Sequence, residues 1–310
     1  MAINESIFHY DEGQLYHHLK TRWEKYLNIY AHVPPQEIFN LSTLNINQEE
    51  KEFLFKSSID YTICNKSDKP LMCIEFDGMC QGYSKNGKYI QIISNDTRRK
   101  KLDLKLRIAK EDNFPFYIVS YQEKNPISEN IHLTILDGII GRTIAKIKFQ
   151  ETAQELFDKN QVALDELNGH ARHDYAEKLF ISVEVGLDLE WNPIARLTAN
   201  IKQELYKRDI VSSESIKFLS KPELPTYNDL NDIEGLNKRV VALDASLEIG
   251  AEVTLTTKKG LVTEQAWVRN FEDTHVYPGS IANDLAELLT SYSAAKLNNL
   301  DISHLEEVIK

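Results

Sequence analysis

The chain of 310 residues is poor in cysteine and has no long apolar run. Its three cysteines are Cys64, Cys73 and Cys80, and no two of them form a CxxC pair, so a zinc site of that type is not expected. An odd number of thiols, two of them in apolar strand-like runs, predicts reduced cysteines and a cytoplasmic protein. No stretch approaches the roughly 18 to 20 apolar residues of a membrane helix. The acidic N-terminus lacks an apolar signal core, so secretion is not expected.

Familiar nucleotide and hydrolase motifs are also missing from the sequence. It contains no GxxxxGK[ST] loop, no GxGxxG and no GxSxG. An ATP-driven motor, a dinucleotide enzyme and an α/β-hydrolase therefore have no motif in their favour.

Charge is distributed unevenly along the chain. The formal net charge of −11 argues by itself against a nucleic-acid binder. Residues 1–150, however, hold 20 basic and 19 acidic residues, whereas residues 151–310 hold 16 and 28. Within the first half, residues 81–110 hold nine basic residues and two acidic ones. The shift predicts two domains with a boundary near residue 150, the second of them acidic.

Periodicity and turn residues predict a mixed α/β first half. Apolar residues at spacing four predict a helix over 13–29, ended by VPPQ, and a second helix covers 96–111. SIDYTIC and LMCIEF flank the turn NKSDKP and predict a β-hairpin. The mixed residues 79–95 are interpreted as a loop, and FPFYIVSY is predicted to be a strand.

The second half is predicted to be a smaller α+β domain. The expected elements are helices over 131–149 and 150–168, a strand FISVEVGLDLEW, a helix PIARLTANIKQELYKR, a loop over 213–237, a hairpin VTLTTKKGLVTEQAWV and a helix IANDLAELLTSYSAAKL.

Three acids lie in or at the end of the predicted hairpin strands, where an unpaired carboxylate would be costly to bury. If the turn is centred near residue 67, Asp60 lies opposite Glu75 on the neighbouring strand. Glu75 and Asp77 are two apart and share a face. Carboxylates on one face of a sheet can converge on a hard divalent cation such as Mg²⁺.

This arrangement resembles the PD-(D/E)XK superfamily of restriction-endonuclease-like and very-short-patch-repair-like nucleases. The similarity lies in residues 50–122: a strand Asp, a hairpin, a strand ending in Glu-x-Asp-Gly, a basic helix and an aromatic strand. The usual lysine two residues after the second acid is replaced by Asp77. A branch of the superfamily carries its lysine on the following helix, and the corresponding residue here is Lys105.

The resemblance implies a restriction-endonuclease-like mixed sheet flanked by helices over residues 1–150 and a metal-dependent nuclease activity, with DNA as the expected substrate. Asp60 and Glu75 would bind Mg²⁺ or Mn²⁺, and Asp77 would be a further metal ligand or would hydrogen-bond to the ligands. Lys105 would orient or activate the water, or stabilise the charge of the transition state. Phosphate contacts are expected from four basic residues of the helix: Arg98, Arg99, Lys101 and Arg107.

Other interpretations stay open at this point. The acids and basic residues could be ordinary solvated side chains, and the departure at Asp77 is compatible with a decayed nuclease fold that acts as a scaffold or nucleic-acid sensor. A phosphodiesterase acting on RNA or a nucleotide is a third possibility. His170, His173 and Asp174 could bind a transition metal, although such a run is more often a polar loop or helix end. The acidic residues 151–310 are expected to serve assembly or target selection, through a protein partner or a homo-oligomer.

Overall fold

The computed structural model describes residues 10–76, 80–83, 89–91, 96–119, 121–161, 166–221, 248–270 and 275–307. The chain forms two compact units that divide between Asn125 and Pro126. Residue 150, where the charge balance changes, lies inside a helix of the second unit. Both units combine helices with strands, so the protein is of mixed α/β class. Among the described helices, none combines the length and the hydrophobicity that crossing a membrane requires.

The first unit contains a four-stranded mixed sheet. Its elements are α1 (Tyr10–Trp23), β1 (Asn28–Val33), α2 (Gln48–Phe55), β2 (Ile59–Cys64), β3 (Pro70–Phe76), β4 (Cys80–Tyr83), β5 (Tyr89–Gln91), α3 (Asp96–Glu111), β6 (Phe116–Val119) and α4 (Tyr121–Lys124). The strand order is β1-β2-β3-β6, with antiparallel pairing except between β3 and β6. A parallel neighbour requires a crossover, and α3 lies within it.

Local sequence explains the β2–β3 hairpin and helix α3 of this unit. The Asn65 side chain accepts hydrogen bonds from the N–H groups of Ser67 and Lys69 and so closes the turn between β2 and β3. Helix α3 spans the predicted residues 96–111, and its apolar face packs against the sheet. The packed residues are Ile59, Cys73, Leu102, Ile108, Ala109 and Phe116.

Two predictions for the first unit were wrong in detail. The first helix ends at Trp23 and not at 29, because residues 28–33 pair with β2 as an edge strand. Residues 80–83 and 89–91, expected in a loop, form a short antiparallel pair. The rest of that predicted loop lies outside the described residues.

The second unit packs helices with a three-stranded antiparallel sheet. Its elements are β7 (Pro126–Ser128), β8 (Ile131–Thr134), α5 (Ile135–Lys159), α6 (Gly169–Trp191), α7 (Pro193–Lys207), β9 (Val211–Lys221), β10 (Glu248–Thr257), β11 (Gly260–Arg269), α8 (Pro278–Leu297) and α9 (Ser303–Glu307). The sheet order is β11-β10-β9, and the predicted hairpin of β10 and β11 is confirmed. Helix α8 confirms the prediction for the last long helix.

Three other predictions for this unit were wrong. The stretch 180–191 is the second half of α6 and not a strand, although its apolar residues alternate as in a strand, because packing on α5 stabilises the helix. Residues 135–159 form one continuous helix, which starts at a capping box between Thr134 and Asp137. Strand β9 occupies the start of the predicted loop 213–237, and residues 222–247 lie outside the described part of the chain.

A charged network joins α5, the α6–α7 junction and α8. Arg142 binds both carboxylate oxygens of Asp284, at 2.6 and 2.7 Å, and lies 3.4 Å from Asp188. The Asn192 amide donates to Asp284 at 2.8 Å, and its oxygen caps α7 by accepting the N–H of Ile194. One guanidinium thus serves two acids. Burial raises the pKa of Asp188 to about 6, against the opposing pull of Arg142.

We predict that the Asp188 carboxyl lowers the free energy of unfolding of the second unit as the pH rises from about 4 to about 6. The folded pKa lies above the ordinary value, so the folded protein retains a proton that the unfolded chain loses in this window. Asp188→Asn should flatten the dependence and gain about 1 to 2 kcal/mol at pH 7. Urea denaturation at several pH values measures this, with exposed Glu177→Gln on the same helix as control. An unchanged pH profile in Asp188→Asn would contradict the assignment.

Candidate metal centre

The candidate site begins with the pairing of β2 and β3. The observed register pairs Tyr61 with Ile74 and Thr62 with Cys73. Continuing it by one residue places Asp60 opposite Glu75, so the predicted register of the hairpin is confirmed. Directly opposite residues share a face of the sheet. The two acids therefore face the same side, as a shared ion would require.

Hydrogen bonds along the strand ends hold both carboxylates. Asp60 Oδ2 accepts the N–H of Phe76 at 2.8 Å, and the N–H of Asp60 donates to the Glu75 carboxylate. Burial raises the pKa of Asp60, while the hydrogen bond from Phe76 and the charge of Lys105 oppose this rise. These hydrogen bonds orient each carboxylate without the help of a bound ligand.

Lys105 reaches the two acids from helix α3. Its Nζ lies 2.5 Å from Oε1 of Glu75 and donates to the carbonyl oxygen of Ser58 at 2.6 Å. The residue is only 5% exposed. A lysine is rarely buried this deeply unless it has a charged partner, and Glu75 is that partner here. The crossover between parallel strands β3 and β6 brings this helix position over Glu75. The structure thus places the predicted lysine beside the predicted acids.

The donor set at this site fits a hard divalent cation. Burial raises the pKa of Glu75, the charge of Asp60 raises it further, and Lys105 lowers it again. Asp60 and Glu75 lie together in a mostly buried position, where burial and their mutual repulsion make it costly to ionise both carboxyl groups. A Mg²⁺ or Mn²⁺ ion relieves such repulsion, and oxygen ligands are those it prefers. Asp60 and Glu75 are the residues that would hold it.

Two further residues, which were not predicted from the sequence, influence the pKa of Asp60. The charges of Glu12 and His32 act on Asp60, raising and lowering its pKa respectively. The Tyr61 hydroxyl donates to the backbone oxygen of Glu12 at 2.7 Å and ties α1 to the sheet. Neither residue belongs to a motif, and only the packing of α1 and β1 brings them near Asp60.

The remaining predicted residues are placed as follows. Asp77 and the side chains of Arg98 and Arg99 lie outside what the structure describes. Lys101 lies over the ring of Phe53, 5.3 Å from its centroid. Arg107 pairs with Glu50 of α2 at 2.7 Å, on a different face of α3 from Lys105.

A groove of about 370 Å³ separates α2 and α3. It is lined by Asn47, Glu49, Glu50, Phe53, Lys100, Asp103, Leu104 and Arg107. The lining mixes acids with bases, and Arg107 is already neutralised by Glu50. The groove is therefore not a uniformly basic surface for phosphates.

A separate group of possible ligands lies in the second unit. His173, Asp174 and Glu177 place one ligand atom each within 4.8 Å of the others, and all three are exposed at the start of α6. This agrees with the interpretation of the HARHD run as a polar helix end. His170 lies on the same helix.

Comparisons with protein-family models, with curated proteins and with solved structures each gave no match.

Proposed function

We propose that the first unit is a metal-dependent phosphodiesterase of the nuclease type, with DNA as its substrate. The observation that carries the proposal is the convergence of Asp60, Glu75 and Lys105 from two strands and the crossover helix. Their spacing was predicted from a resemblance to PD-(D/E)XK nucleases, and the buried Lys105–Glu75 contact supports that resemblance. The mixed sheet with its α3 crossover supports a restriction-endonuclease-like arrangement.

The chemistry follows from the residues present. When bound, Mg²⁺ or Mn²⁺ would acidify a water molecule and neutralise charge on the phosphate. Lys105 supplies a fixed positive charge where phosphate oxygens gain charge in the transition state. The N–H of Phe76 orients Asp60, and the Ser58 carbonyl orients Lys105. The buried thiols of Cys64 and Cys73 agree with a cytoplasmic location, which belongs to the same proposal.

A decayed nuclease fold is the second candidate, and one observation favours it. The Lys105 ammonium pairs directly with Glu75, so it can balance the charge of this carboxylate without a metal ion. A scaffold or nucleic-acid sensor would keep this ion pair for structure alone.

Plasmid cleavage separates the two candidates. We expect the wild-type chain to nick or linearise plasmid DNA with Mn²⁺ or Mg²⁺ and to stop on addition of a chelator. Glu75→Ala should lower the rate at least about 100-fold, since it removes a ligand and a charge partner together. Exposed Glu111→Ala on α3 is the control. If no form of DNA or RNA is cleaved and calorimetry detects no Mn²⁺ binding, the decayed nuclease fold is the correct interpretation.

A further inference from the structure

Strand β1 brings a histidine into one row with the two acids of the candidate metal centre. The residues on either side of His32 pair with those on either side of Asp60: Ala31 with Tyr61 and Val33 with Ile59. His32 therefore stands opposite Asp60 in the register, just as Asp60 stands opposite Glu75. Opposite residues of antiparallel strands share a face of the sheet. The three residues thus form a row across β1, β2 and β3.

The spacing of the strands allows the three side chains to meet. Neighbouring strands lie about 4.8 Å apart, so His32 and Glu75 flank Asp60 at about that distance on either side. Both flanking side chains are longer than that of Asp60 and can reach over the middle strand. His32 is half-buried. Burial raises the pKa of Asp60, and the charge of His32 is among the opposing effects that lower it. The histidine and the carboxylate therefore influence each other within the fold.

The backbone of His32 has an unusual conformation for a strand residue. Its φ is +54°, in the left-handed region. Residues other than glycine rarely adopt this region, and residues held in such conformations cluster at active sites and ligand-binding positions. Glycine would adopt the same φ without strain. The backbone therefore does not account for a histidine at this position, whereas a role for the imidazole does.

We propose that His32 is a third ligand of the divalent ion that Asp60 and Glu75 would bind, and that it makes the centre selective for Mn²⁺ over Mg²⁺. Imidazole nitrogen is a good ligand for transition-metal ions, whereas Mg²⁺ prefers oxygen ligands. A set of one nitrogen and two carboxylates therefore favours Mn²⁺. The inference rests on the proposed metal-dependent nuclease and narrows its cofactor from two ions to one.

Calorimetric titration of the full chain with Mn²⁺ and with Mg²⁺ tests this set of ligands. We expect His32→Asn to lower the ratio of the Mn²⁺ affinity to the Mg²⁺ affinity at least about tenfold, because an amide oxygen replaces the imidazole nitrogen. His32→Gly leaves no donor at this position and should also weaken Mn²⁺ binding at least about tenfold. Asparagine and glycine both tolerate the left-handed conformation, so both variants are expected to fold.

Two control variants make the titration specific. Glu12→Gln removes a negative charge that acts on Asp60, so it should weaken the binding of both ions by a similar factor and leave the ratio unchanged. His173→Ala removes a histidine from the exposed group of possible ligands in the second unit and should also leave the ratio unchanged.

Pulsed electron paramagnetic resonance of bound Mn²⁺ measures the ligand nitrogen directly. We expect the Mn²⁺ signal of His173→Ala to show coupling to a nitrogen ligand, because His32 is still present. The double variant His32→Asn with His173→Ala should lose this coupling. A coupling that persists in the double variant would contradict the assignment of His32.

The outcomes separate this inference from the nuclease proposal. An equal loss of both affinities in His32→Asn would mean that the histidine only orients Asp60, and it would overturn the inference, as would unchanged affinities in both His32 variants. A chain that binds Mn²⁺ through His32 but cleaves no plasmid would refute the nuclease activity and keep His32 as a ligand. If both His32 variants cleave plasmid with the ion preference of the wild type, the nuclease stands and His32 is not a ligand.

Discussion

Lys105→Met is expected to lower metal-dependent cleavage by at least about 100-fold and to destabilise the first unit by about 3 kcal/mol. The side chain is nearly isosteric but lacks the ammonium. Without it Glu75 stays in its mostly buried position beside Asp60 with no cation at 2.5 Å. The Ser58 carbonyl also loses the donor at 2.6 Å. Cleavage kinetics and urea denaturation measure the two losses separately.

Two comparison variants make this prediction specific. Lys110→Met removes an exposed lysine from the same helix and should change neither quantity by much. Lys105→Met combined with Glu75→Leu removes both members of the pair and should recover most of the stability, yet stay inactive. If the single variant cleaves DNA as the wild type does, Lys105 has no part in the chemistry. If its stability is unchanged, the ion pair is not structural either.

Gly141→Ala is expected to destabilise the second unit by about 2 to 3 kcal/mol. A Cβ at Gly141 would stand 2.6 Å from Cα of Asn192 and 2.6 Å from the carbonyl oxygen of Trp191. Both neighbours are backbone atoms and cannot rotate away. The junction of α6 and α7 would have to move from α5, and the hydrogen bond from Asn192 to Asp284 would move with it. The urea midpoint of the variant measures the effect.

Gly186 of α6 is the matched control, since it too is a helical glycine. Its added Cβ would meet no heavy atom within 4 Å. Gly186→Ala should therefore stabilise the helix by about 0.5 to 1 kcal/mol, the ordinary helix preference of alanine over glycine. The two substitutions are chemically identical and are expected to have opposite signs. Equal effects would show that the close approach at Gly141 does not restrict the packing.

Parts of the first unit could be predicted because short-range signals determine them. The turn residues around Asn65 fix the hairpin, and the hairpin fixes the pairing of Asp60 with Glu75. Helix α3 was predicted with its observed ends, since apolar residues recur on one of its faces. The edge strand at 28–33 was missed, because its pairing partner β2 lies some thirty residues later.

The second unit was harder to predict because contacts between residues far apart in the sequence determine its structure. Residues 180–191 are rich in valine and leucine, and composition favoured a strand. Contact with α5, including the pair Phe149 and Phe180, stabilises the helix that their spacing permits. Local preference in such a stretch is weak, and tertiary packing decides between the two structures.

By itself the sequence determined the hairpin register, the helix over 96–111 and the identity of the three residues Asp60, Glu75 and Lys105. The register follows from a turn that closes locally and the helix from the spacing of its apolar residues, whereas the three residues were chosen by a resemblance to PD-(D/E)XK nucleases. Only the tertiary structure decided that Lys105 meets Glu75, that Glu12 and His32 act on Asp60, and that Arg142 contacts both Asp188 and Asp284. These features depend on how the helices pack against the sheet and against one another, and spacing along the chain does not specify that packing.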